Sequence, residues 1–109
     1  MGCDAGLARR LREVFAERAD VAERRMFGSV AFMLRGNMLC GIIGEGLMVR
    51  VGPAQYEAAL ARPHAVEMDF TGRPMKGFVC VAPRGFESDS DLLEWLAIAE
   101  RFVGALPAK

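Results

Sequence analysis

The chain carries no net charge: 14 Lys and Arg balance 14 Asp and Glu over 109 residues. A molecule without a positive field is not drawn onto DNA, RNA or an anionic membrane, so direct nucleic-acid binding is not expected. Histidine is represented by His64 alone, and the three cysteines, Cys3, Cys40 and Cys80, lie far apart. This odd, scattered set has no C-x-x-C spacing for zinc and fits a reducing cytoplasm. Long apolar runs are also missing. Arg35, Gly36, Asn37 and Glu45 interrupt them well short of the roughly 20 residues that a membrane span takes. Met1-Gly2-Cys3-Asp4 leads straight into an Arg-rich amphipathic segment with no apolar stretch of signal-peptide length. Gly6 stands where a myristoylation signal carries Ser or Thr. The expected location is therefore the cytoplasm, away from any bilayer. G-x-S-x-G, the phosphate loop and H-E-x-x-H are absent, and Gly44-Glu45-Gly46 lacks the strand-to-helix context of a dinucleotide site. The expectation is a non-enzymatic protein with no cofactor and no metal.

Apolar residues make up 52% of the chain and charged residues 26%, the balance of a globular domain rather than a disordered one. A single domain over residues 1–109 is expected, with its core over about residues 7–106. At this length folding buries about two-thirds of the unfolded chain's surface without a metal or disulfide staple.

Leu7, Leu11, Val14 and Phe15 recur at helical spacing among Arg9, Arg10, Arg12, Glu13 and Glu17, behind Asp4 as N-cap. The stretch from Arg24 to Arg35 then reads as a first strand, kinked by the glycine in Phe27-Gly28-Ser29. Gly36-Asn37 is a hairpin signal before a second strand from Met38 to Ile43. Gly44-Glu45-Gly46 turns into a third, with Leu47, Val49 and Val51 on one face and Met48 and Arg50 on the other. Pro53 opens a short helix carrying Tyr56, Ala59 and Leu60, which Pro63 ends. Val66, Met68 and Phe70 alternate with Glu67 and Asp69 as a half-buried fourth strand. A fifth, from about Lys76 to Ala82, is apolar on both faces. Ser88-Asp89-Ser90-Asp91 caps a last helix bearing Leu92, Trp95, Leu96, Ala99, Phe102, Val103 and Leu106, which frays at Gly104 and Pro107. The order α-β-β-β-α-β-β-α predicts a two-layer α+β domain, a mostly antiparallel sheet of about five strands with helices packed on one side.

Arg25-Met26-Phe27-Gly28-Ser29-Val30 followed by Gly36-Asn37-Met38 resembles the opening of the TfoX N-terminal domain family, named for the Sxy/TfoX competence regulators. Leu47-Met48-Val49-Arg50-Val51-Gly52 resembles its third strand. Met68-Asp69-Phe70-Thr71-Gly72-Arg73-Pro74-Met75-Lys76-Gly77-Phe78-Val79 resembles the signature of its second half. The resemblance covers about Leu7 to Leu106. The chain has Gly28-Ser29 where the family usually has two glycines. Competence regulators also carry a C-terminal helical domain, so the expectation here is a stand-alone, single-domain member. The resemblance implies a two-layer α+β fold and a regulatory, transcription- or competence-related role through protein contacts, and it carries over no catalytic or binding residues.

Two groupings merit attention as candidate sites. Arg24, Arg25, Arg50, Arg73 and Lys76 are cations close to the strands that could meet an anion or a partner, against the plainer alternative of solvated charge paired with Glu23, Glu67 and Asp69. Cys80 with His64, or with an anion site at Arg50, Arg73 and Lys76, defines the alternative of a small enzyme or ligand-binding protein. The seven methionines are spread over different strands. If the helices leave one sheet face uncovered, that Met-lined face becomes a homodimer interface.

Overall fold

The computed structural model describes residues 5–26, 28–69 and 74–109. Its elements are α1 (Ala5–Val14), β1 (Val21–Met26), β2 (Ser29–Leu34), β3 (Asn37–Ile43), β4 (Gly46–Arg50), α2 (Tyr56–Leu60), β5 (Ala65–Asp69), β6 (Pro74–Val81), a 3-10 turn (Pro83–Phe86) and α3 (Asp89–Val103). The strands form one antiparallel sheet in the order β1-β2-β3-β4-β6-β5. The three helices share a single core with one face of it, so the fold is the expected two-layer α+β. No helix among the described residues is long and apolar enough to cross a membrane.

The sheet has six strands because the stretch read as one kinked strand is a hairpin. β1 pairs with β2 from Val21↔Leu34 to Met26↔Ser29, and Gly28, at φ 76°, takes the left-handed backbone that a tight reversal needs. Phe27 lies outside the described residues, as do Asp4 and the segment 70–73. The register breaks fall elsewhere: Leu39 of β3 is the extra residue opposite Phe32 and Met33, and β6 carries the extra residues opposite Glu67–Asp69. The next turn is Arg35-Gly36 rather than Gly36-Asn37, with both residues at positive φ (50° and 86°), as a primed two-residue turn requires. Asn37 is instead the buried first residue of β3, and its side-chain amide donates to the Pro107 carbonyl at 2.9 Å.

The helix side closes as the apolar spacing predicts. Leu7, Leu11 and Phe15 of the first helix and its exit meet Phe32, with the Phe15 and Phe32 rings 5.4 Å apart. α3 presents Leu92, Trp95, Leu96, Ala99 and Val103 to β3 and β4. Ser88 caps it, its hydroxyl accepting from the Asp91 amide at 3.1 Å. Arg18 joins the turn before β1 to α3, donating to Asp20 and Glu100.

Candidate functional site

Facing residues of paired strands project to the same side of a sheet, so the register assigns each side chain a face. One complete row runs Glu23, Phe32, Cys40, Val49, Val79, Glu67 and lies under the helices. The adjacent row runs Arg24, Ala31, Gly41, Met48, Cys80, Val66 and points away from them. On this second face Ala31, Met33 and Met48 are buried yet belong to no part of the helix-side core. Gly41 shows how. A Cβ there would stand 3.2 Å from the terminal methyl of Met48 and 3.6 Å from Cβ of Ala31, so Met48 lies down over its small neighbours. These side chains are closed off from solvent on the helix-free side.

On this side Ile43 is 43% exposed and Val66 60% exposed. The third large exposed apolar side chain among the described residues, Leu93 at 50%, is on α3. Val66 was expected to turn inward with Met68. Instead it faces Cys80 on the helix-free side and stands in solvent, while Met68, two residues on, is buried outside the helix-side core.

The candidate cations separate into groups. Arg24 faces Ala31 and Arg25 faces Val30, so these two exposed side chains leave β1 on opposite faces. β1 lies three strand spacings from β4, about 14 Å. Arg50 and Lys76 are on the neighbouring strands β4 and β6. Arg73 lies outside the described residues. Glu23 pairs with neither Arg24 nor Arg25 but with Arg12 of α1, at 2.8 and 2.6 Å, and these hydrogen bonds hold its carboxyl below the usual range.

Arg50 differs from the other half-buried arginines among the described residues. Arg10, Arg18 and Arg62 each hold an acid: Asp89, Asp20 with Glu100, and Glu94. Arg50 holds none. Its guanidinium sits 5.7 Å from the Phe78 ring and 5.5 Å from the Phe102 ring of α3, which places it at the rim where the open face meets the helix layer. Two rings fix the planar group and leave its donors without an acceptor among the described residues. Sequence reasoning missed this clamp: Phe78 and Phe102 read as filling, and nothing local in sequence joins either to Arg50.

The remaining chemistry is quiet. Burial pushes the Cys80 thiol up, and the Cys40 thiol further, away from the thiolate that a nucleophile needs. His64 is an exposed turn residue at φ 68°, and its carbonyl accepts from the Ala82 amide at 2.9 Å. An open groove of about 340 Å³ between α2 and α3 is lined by Ala54, Gln55, Ala58, Ala59, Arg62, Glu94, Ala97, Ile98 and Arg101. Its polar groups satisfy one another: Arg62 binds Glu94, Arg101 donates to Gln55, and Gln55 donates to the carbonyls of Val51 and Ile98. Among the described residues no three His, Cys, Asp or Glu side chains gather as metal ligands.

A search of curated proteins finds no match to the chain. The family model for the TfoX N-terminal domain matches residues 13–103, a span that takes in all six strands, α2 and α3. This chain belongs to the TfoX N-terminal domain family.

Proposed function

We propose that the chain is a non-enzymatic regulatory domain, transcription- or competence-related in role, that works in the cytoplasm through protein contacts. The helix-free sheet face is its contact surface, and a second copy of the chain is its partner there. The observation that carries this is the pair of large apolar side chains left in solvent on the helix-free side of the sheet, Ile43 and Val66. Two such faces bury apolar area when stacked in the aligned manner of a β-sandwich. Methionine side chains re-pack readily against an incoming surface. Membership of the TfoX N-terminal domain family supports the regulatory side of the reading. Light scattering over a concentration series tests it: the mass rises from 11.9 kDa toward twice that value. A mass fixed at 11.9 kDa at every concentration contradicts self-association.

A further inference from the structure

The chain reads as fraying at Gly104 and Pro107, yet it is held there. Past Val103 the amides of Gly104, Ala105 and Leu106 donate to the carbonyls of Glu100, Phe102 and Val103 at 2.7, 3.2 and 3.1 Å. Residues 104–109 then cross the turn between β2 and β3 and bond to it three times. The Arg35 guanidinium donates to the Gly104 carbonyl, where the end of α3 is negative. The Asn37 side-chain amide donates to the Pro107 carbonyl at 2.9 Å, and the Lys109 amide donates to the Arg35 carbonyl at 2.9 Å. The crossing is close: a Cβ on Gly36 would stand 2.8 Å from Cβ of Lys109 and 3.2 Å from its carbonyl oxygen, so the segment passes where residue 36 has no side chain. Turn chemistry alone does not ask for Asn37. Arg35 and Gly36 make the turn, and Asn37 lies past it in β3, 6% exposed, with its side-chain donor given to the crossing segment.

We propose that residues 104–109 are a strap, seated on Arg35, Gly36 and Asn37, that opens and closes as a unit while the sheet and helices stay folded. The hold is thin and mostly polar. Leu106 is half-buried against the core, whereas Ala105, Pro107, Ala108 and Lys109 are exposed. A segment with so few buried apolar contacts opens at a lower free energy than the core on which it lies. Closed, the strap ties the end of α3 to the β2–β3 turn; open, it frees the Arg35 carbonyl and the Asn37 amide. Whatever grips residues 105–109 from outside therefore reaches the sheet through this turn. The device is independent of what the helix-free face contacts.

The test is native-state hydrogen exchange on the intact chain, read at the Lys109 amide. In the wild type this amide exchanges more slowly than in an unstructured chain and faster than the slowest amides of β4. Asn37→Ala removes one tie and Leu106→Ala loosens the strap itself, and each speeds exchange at Lys109 by about fivefold to tenfold, the worth of one such contact. Leu106→Ala leaves the sheet untouched, so it decides even if Asn37→Ala melts early. Val49→Ala, a change at a fully buried position of β4, speeds the slowest β4 amides and leaves Lys109 unchanged, because that core contact survives when the strap opens. Exchange at Lys109 at the unstructured-chain rate in the wild type overturns the proposal by showing no closure. A Lys109 rate that follows the β4 amides in Val49→Ala overturns it by showing no separate opening. Lys109 exchange that responds to neither Asn37→Ala nor Leu106→Ala overturns the seat.

Discussion

The two rows at the centre of this sheet differ by one residue along every strand and live in different worlds. Glu23, Phe32, Cys40, Val49, Val79 and Glu67 lie beneath three helices; Arg24, Ala31, Gly41, Met48, Cys80 and Val66 lie beneath none. The covered row is bulky in the middle, and its charges fall at the edge strands, where Glu23 finds Arg12. The open row is small in the middle and holds its largest exposed apolar group, Val66, at an edge. A face that only needed to be wet would carry polar side chains in that middle. The difference teaches that one side of the sheet is closed by the helices, whereas the other buries its middle without them and leaves Ile43 and Val66 in solvent.

The comparison breaks first if the two faces contribute equally to stability. Trp95→Ala empties the centre of the covered side, where Trp95 is 2% exposed, and should cost about 3–5 kcal/mol in chemical denaturation. Met48→Ala on the helix-free side removes a smaller buried side chain, 6% exposed, and should cost about 2–3 kcal/mol. Equal losses would show that the open face is as much a core as the covered one.

Acid sharpens the contrast with a smaller effect. Hydrogen bonds from Arg12 hold Glu23 below its ordinary range, and hydrogen bonds from Arg18 do the same for Asp20. A depressed carboxylate stabilises the fold above its unfolded value, near pH 4, and that contribution disappears as pH falls through the folded one. The melting temperature should therefore hold steady from neutral pH to about pH 4 and then decline, with Arg12→Gln reducing the acid-dependent part. A loss that begins well above pH 5 would point to a group other than these two.

The smallest effect on stability belongs to the exposed apolar residues. Val66→Lys on the open face and Leu93→Lys on the outer surface of α3 should each change unfolding free energy by no more than about 0.5 kcal/mol in the monomer. The faces separate here by association rather than by folding.

Much of this architecture was legible in the sequence. Leu47, Val49 and Val51 against Met48 and Arg50 gave the two faces of β4 by alternation alone, and Ser88 announced α3 because its hydroxyl can reach an amide three residues on. β1 stayed hidden inside the stretch read as one kinked strand, because a single glycine in a strand pattern marks a kink as readily as a reversal; its charges are tolerated because one side of an edge strand's backbone faces solvent. Val66 was misplaced because alternation assigns a face but not its cover: Val66 faces Cys80 on the helix-free side and stays in solvent while Met68 is buried. The candidate site was legible as residue types only. That Arg50 lies between Phe78 and Phe102 follows from the pairing of β4 with β6 and the packing of α3 over the strand end, contacts between residues far apart in the chain.

The central claim, that the helix-free face is the surface through which this domain makes contact, is tested most directly by comparing the self-association of Val66→Lys with that of Leu93→Lys. The two substitutions place the same charge at sites of similar exposure, 60% and 50%, on opposite layers of the molecule. The account predicts that Leu93→Lys dimerises like the wild type while Val66→Lys stays at 11.9 kDa; loss of the dimer in Leu93→Lys with Val66→Lys unaffected would contradict it.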